Sequence, residues 1–263
     1  MKILLLFIVV ILAAAPVHAQ DQYEELDKSY VAAIENGSFD DHLTLIDQLL
    51  GTNGQKFEVL SRAARGTWAA ADLIYWRAVL ENIERAKPQD VSDVLEAEAE
   101  LSTEQGKVLI ALGRRMWRCG EAAAALEPKR VEGHFYHAMG ISFYALGKSI
   151  LAALREGLRG KFDEAIDKSI ELEANFFGAA PLRTKGRSHF KLPWPLRDYE
   201  EAIKLARRSV ESAPQVSVNY LFLGDAYWKN GQEEQALSAW NKVIELGQGH
   251  EAVQYYLLEN AKR

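Results

Sequence analysis

Two arginines and a scatter of large aromatics are the residues best suited to bind something. Arg183 and Arg187 stand four apart, so on a helix they share one face. Two guanidinium groups so placed suit a bidentate grip on a carboxylate, or they form a solvated basic stripe. His134 and His137 are three apart and could share a metal, but no third ligand stands at a convincing spacing, and a zinc site needs three or four. Cys119, the single cysteine, lies in an Ala-rich stretch and reads as a small apolar residue rather than a nucleophile. Glu96, Glu98, Glu100 and Glu104 form an acidic run that reads as a solvated face. Serine elbows, phosphate-binding glycine loops and HExxH are absent, so no catalytic residue, metal site or cofactor is expected.

The elements that must position these residues are helices. Ala, Leu, Glu, Lys and Arg dominate, and β-branched alternating runs are missing. Most of the seven prolines fall at boundaries, among them Pro88, Pro128, Pro181, Pro193, Pro195 and Pro214. Asn36-Gly37, Asn53-Gly54, Gly160 and Asn230-Gly231 add stop signals. One cysteine leaves no internal disulfide. A net charge of −6 argues against a nucleic-acid partner, which binds phosphates through basic surface.

The helical pattern repeats. In LFLGDAYWKNGQEEQALSAW, residues 221–240, Tyr220, Leu223, Gly224 and Tyr227 recur at helical spacing before the Asn230-Gly231 turn, and Ala236, Leu237, Trp240, Val243 and Ile244 do so after it. Gly224 and Ala236 are placed where two helices would cross closely. One unit earlier, YEEAIKLARRSVESAP (199–214) matches the second helix, and its first helix centres on Gly186 with four residues inserted at KLPWPLRD (191–198). Two units earlier, Tyr136, Met139, Gly140 and Phe143 match the first helix and FDEAIDKSIEL (162–172) the second, with thirteen residues inserted between them. WRCGEAAAALEP (117–128) is similar to the tail of a further second helix, whose partner would be residues 57–76.

These residues resemble the tetratricopeptide repeat, in which helix–turn–helix units of about 34 residues stack into a superhelix. The expectation is an all-α, irregular tetratricopeptide-repeat solenoid of antiparallel helix pairs. It would form a single domain over residues 20–263, with its clearest repeats at 133–175, 179–214 and 217–250. In that fold the inner faces of the first helices line a groove. The alignment places Arg65 and Trp68, His134, His137 and Tyr144, Arg183, Arg187 and Phe190, and Asp225 and Trp228 there. One helical position holds an aromatic in all four units: Trp68, Tyr144, Phe190 and Trp228. These rings either wall a ligand or partner groove or pack between stacked units. A groove so lined would suit an organic anion or a peptide segment of a partner equally well. Trp194, between Pro193 and Pro195, is either a docking point for a partner or a seal on the helix pair.

The chain begins as an exported protein does. Met1-Lys2 precedes the apolar stretch ILLLFIVVILAAAP (3–16), and Val17-His18-Ala19 supplies a cleavage pattern before Gln20. Residues 1–19 therefore read as a signal peptide; the alternative is a retained anchor, for which the stretch is short against the roughly 20 residues that span a bilayer. No lipid-acceptor cysteine stands at the cleavage point. The run Gly186, Arg187, Phe190, Lys191, Leu192, Pro193, followed by the last repeat, resembles the T component of tripartite ATP-independent periplasmic (TRAP) transporters. That resemblance implies a non-catalytic periplasmic protein, not membrane-spanning after cleavage. Its partner would be the solute-binding subunit of an organic-acid importer, with a small anionic or hydrophobic ligand. The alternative is a general scaffold for cell-envelope complexes.

Overall fold

A computed structural model describes residues 17–86 and 101–246, with Leu95 between them. Residues 1–16 of the expected signal peptide, Pro88, the acidic run Glu96–Glu100 and the end of the last repeat at 247–250 lie outside the described residues. Every regular element described is an α-helix: α1 (Val17–Asn36), α2 (Asp40–Asn53), α3 (Phe57–Ala86), α4 (Thr103–Leu126), α5 (Val131–Lys148), α6 (Ile150–Arg155), α7 (Leu158–Glu173), α8 (Phe176–Lys191), α9 (Tyr199–Ser212), α10 (Ser217–Lys229) and α11 (Glu233–Leu246). No helix among the described residues is long and apolar enough to cross a membrane.

Local chemistry starts and stops these helices. Ser102 accepts from the Gln105 amide while the Gln105 side chain accepts from the Ser102 amide, a reciprocal cap that opens α4. Asp198 caps α9 by accepting from Glu201 N at 2.9 Å. Gly231 takes φ +76° to turn the chain from α10 into α11, as its sequence neighbour Asn230 suggests. Gly160, expected as a stop, lies inside α7; the break is at Gly157, whose φ of +72° separates α6 from α7.

Neighbouring helices stack antiparallel in chain order, and the alternate helices α3, α5, α8 and α10 make further contacts along one side. A continuous core runs through Ile46, Ala64, Val79, Leu109, Met116, Phe135, Tyr136 and Ile166. A second cluster built on Phe190, Ala202, Ala206, Leu223 and Ala239 joins the last four helices. Gly186 crosses α9 at Ala202 and Leu205, where an added Cβ would sit 3.2 Å from each. Gly224 makes room for the Trp240 indole, whose Nε1 donates to Asp225 at 3.2 Å.

The closest packing is between α4 and α5. Gly106, Gly113 and Gly120 recur every seven residues on α4, and Gly133, Gly140 and Gly147 do the same on α5. The helices run antiparallel, so these stripes meet backbone to backbone. A Cβ on Gly113 would lie 2.5 Å from Tyr144 N and 2.8 Å from Gly140 O; one on Gly106 would lie 2.9 Å from Gly147 O. One on Gly140 would collide with the Trp117 backbone. A side chain can yield to an added methyl, but a helix backbone cannot.

The N-terminal hairpin is held by charge. Asp27 on α1 accepts from Arg65 Nη2 at 2.5 Å and from Arg62 Nε at 3.4 Å, and the Arg65 guanidinium lies over the Tyr30 ring. Arg77 Nη2 on α3 donates to Gly37 O at 2.8 Å, and Arg115 on α4 reaches Asp47 on α2.

Gly140→Ala is expected to lower stability by about 3 kcal/mol or more, because the two helices must separate. Gly160→Ala, in a helix with nothing within 4 Å of the new Cβ, is expected to raise it by about 0.5–1 kcal/mol. Urea unfolding of both variants followed by circular dichroism checks the contrast.

Candidate functional site

The side of the array formed by α3, α5, α8 and α10 lines a half-open cavity of about 280 Å³. Its two principal ridges are each spaced four residues apart. Trp68, Asp72 and Trp76 project from α3, and Arg183, Arg187 and Lys191 project from α8. Met139, Phe143 and Leu146 of α5 and Phe222 of α10 complete the apolar walls. The thirteen-residue insertion expected after Gly140 supplies the rest. It folds as α6 and the start of α7, and Leu154, Leu158 and Phe162 close one end of what would otherwise be an open groove.

Charge is handled in two ways here. Arg187 Nη1 donates to Asp225 Oδ2 at 2.8 Å, with the side chains 12% and 2% exposed. Its guanidinium lies between Phe190 and Phe222, 4.3 and 4.5 Å from their ring centres. Asp225 also accepts from Trp240 of α11, so the pair is braced from a third helix. Asp72 and Arg183, by contrast, stand on opposite walls with no direct ion pair between them. Burial pushes the Asp72 carboxyl up to about 6, against the pull of Arg183 and a hydrogen bond from Trp76. Burial likewise lowers Arg183 to about 10, with Asp72 opposing.

Arg183 is set by an unusual backbone. Phe177, Gly178 and Ala179 all take left-handed φ, from +45° to +64°. For Phe177 and Ala179 that conformation is costly and needs outside support. Arg183 Nη1 supplies it, donating to Gly178 O at 2.7 Å and to Phe177 O at 3.3 Å. Asn219, buried on α10, accepts from Arg183 and donates to the carbonyls of Gly178, Ser209 and Ala213.

Of the residues expected in a groove, Trp68, Arg183 and Arg187 line the cavity. Phe190 and Asp225 stand one layer behind, under and beside Arg187. Trp228 packs on Trp240, their ring centres 5.7 Å apart. Arg65 faces α1 instead, because that helix, which lies outside the repeat alignment, covers its side of α3. His134, His137 and Tyr144 do not line the cavity either. The repeat alignment pairs Gly140 with α7, but its glycine stripe faces α4, and that rotation brings Met139, Phe143 and Leu146 inward. His137 stacks on Trp117 of α4, His134 bonds the Pro128 carbonyl, and Tyr144 donates to Glu156. Trp194 stands outside the cavity on the α8–α9 loop, 85% exposed, so it seals no helix pair. Among the described residues no group of three or more His, Cys, Asp or Glu is placed to hold a metal. Burial raises the Cys119 thiol to about 11.

Asp72, Trp76 and Phe222 were not singled out from sequence. The signal was present: Asp72 is the one charge in TWAAADLIYW, four residues from a tryptophan on either side.

Arg187→Ala leaves Asp225 buried beside an emptied site and is expected to cost about 3–5 kcal/mol, measured by urea unfolding. Asp72→Asn is expected to act the other way. The folded carboxyl holds its proton up to about 6 against an ordinary value of 3.8, so the wild-type chain loses stability as pH rises through that window. The variant's thermal midpoint should exceed wild type at pH 7.5 and match it near pH 4.

No protein-family model matches the chain, and no curated protein matches it. Among solved structures, the thermophilic TPR protein TTC0263 of Thermus thermophilus superposes with a TM-score of 0.59 at 14% identity, covering 92% of this chain and 100% of that one. Yeast Tom70 is 14% identical with a TM-score of 0.35, over 100% of this chain and 66% of that one, a likeness too weak to argue from. The fold is thus an all-α array of the tetratricopeptide type.

Proposed function

We propose that this chain is a non-catalytic scaffold of the periplasm that engages a protein partner and holds a small apolar organic acid in the cavity between α3 and α8. The observation that carries the reading is the pair of facing ridges, tryptophans with one aspartate on one side and three cations on the other, around a half-open, mostly apolar space. A mostly apolar cavity with a few placed polar groups is the usual make-up of a ligand site. The partner proposed is the solute-binding subunit of a TRAP-type organic-acid importer. Its support is the Gly186–Pro193 resemblance together with the export pattern of residues 1–19.

A second reading, a general scaffold for cell-envelope complexes, draws on a different surface. Trp194 and Leu196 are exposed together on one loop, braced by Arg197 Nε donating to Leu192 O at 2.8 Å. An exposed tryptophan on such a loop suits a protein interface, where tryptophan is enriched among hot spots.

Crosslinking of the full chain in the envelope fraction of its source organism, followed by mass spectrometry, separates the two. Recovery of a solute-binding protein or transporter membrane subunits is the expected result; recovery of cell-wall or outer-membrane assembly machinery would replace it with the scaffold reading. Trp194→Ser is expected to reduce partner recovery at least tenfold while leaving the thermal midpoint unchanged.

A further inference from the structure

The polar atoms around the cavity are committed to very different degrees. Arg187 is paired with Asp225, and Arg159 with Asp163 at 2.6 Å. Arg183 directs only Nη1 to the protein, toward two carbonyls and the Asn219 amide oxygen. Among the described residues its Nε and Nη2 make no hydrogen bond, although the side chain lines the cavity. An arginine clamped by one terminal nitrogen keeps the Nε–Nη2 edge as a preset two-pronged donor, the geometry that a carboxylate matches. Asp72 waits on the opposite wall, oriented by Trp76. The space around them is walled by Trp68, Phe143, Phe162 and Phe222, which suits an aliphatic or aromatic tail.

We propose that the cavity binds an apolar monocarboxylate: Arg183 grips the carboxylate through Nε and Nη2, and Asp72, carrying a proton taken from water, donates a hydrogen bond to it, so that each ligand bound brings one proton into the protein. This deepens the reading of the cavity as an organic-acid site and rests on it. The reason for the proton is electrostatic. Two ionised carboxylates cannot share one poorly solvated site, whereas a protonated one is a donor. Asp72 is the group available to carry it, since it lines the wall opposite Arg183 and burial already raises its carboxyl to about 6.

The charges that face Asp72 across the cavity are Arg183, Arg187 and Lys191 of α8 and Arg159 of α7. On α3 itself stands the Tyr75 phenol. Burial raises the Tyr30 phenol on α1, and the Asp72 charge adds to that rise against Arg65. The walls contributed by α5, α6 and α10 carry no ionisable side chain. The dependence on pH therefore has one sign: binding tightens as Asp72 gains its proton.

The test uses octanoate and its uncharged analogue 1-octanol, with binding to the full chain followed by tryptophan fluorescence and calorimetry at pH 5.5 and 7.5. With Asp72 titrating at about 6, its protonated fraction falls about 25-fold over this interval, and octanoate affinity is expected to fall by a similar factor. Octanol affinity should not change with pH. Asp72→Asn, whose amide donates at every pH, is expected to bind octanoate at pH 7.5 as wild type does at 5.5. Arg183→Gln is expected to lose at least tenfold toward octanoate and little toward octanol. Calorimetric titration in two buffers of different ionisation enthalpy should register uptake of about one proton per octanoate at pH 7.5. Octanol bound as tightly as octanoate, or a pH dependence that survives Asp72→Asn, overturns the proposal while leaving an apolar cavity site. Failure of both probes to bind removes the ligand site together with the proposal, whatever partner the chain captures.

Discussion

The backbone contact between α4 and α5 sets the geometry on which the remaining helices depend. Six glycines at seven-residue spacing let two helices meet with no side chain between them. Interaxial distance is set by the side chains at a contact, and here there are none. The contact also fixes rotation. With Gly133, Gly140 and Gly147 turned toward α4, the residues one and three positions from Gly140, Met139 and Phe143, face the cavity. Helix α5 thus cannot roll without breaking a row of close backbone contacts. The partners that stack on it inherit that orientation.

On this base the cavity is made by irregularities rather than by the repeat. A regular stack of helix pairs leaves an open concave face. Here α6 and the start of α7 fill the end of that face, and the left-handed turn at 177–179 precedes the α8 ridge. That turn stores strain in Phe177 and Ala179, and the interactions holding it are the ones that fix Arg183. Support of the turn and placement of the Arg183 side chain are therefore one network. Asn219 joins it to α10.

The two basic residues at the cavity behave differently because of what lies behind them. Arg187 is paired with a buried carboxylate and lies between two rings, so its charge is spent inside the protein. Breaking such a pair leaves an uncompensated buried charge, and for that reason it is structural even though it lines the cavity. Arg183 donates to neutral partners, and Asp72 faces it across the cavity without a direct ion pair. Equal residue types four apart on one helix thus differ in their partners: Arg187 meets a buried carboxylate, and Arg183 meets backbone carbonyls and an amide.

By itself the sequence determined the helical class and the turns. Ala, Leu and Glu-rich stretches interrupted by Asn-Gly and Pro have few alternatives, and Gly186 and Gly224 mark crossings because only a small residue admits a second helix there. It also held the glycine stripes of α4 and α5 and the aspartate between Trp68 and Trp76, both readable as spacing. The roll of each helix was not readable. His134, His137 and Tyr144 have the right types and the right helix, yet that helix turns them from the cavity. Arg65 has a suitable charge, yet α1 occupies its face. A spacing of four says which side chains share a face; only the partner packed on that helix decides where the face points. The same holds for charge, since whether an arginine serves the fold or a ligand depends on carboxylates that are distant in the chain and adjacent only after folding.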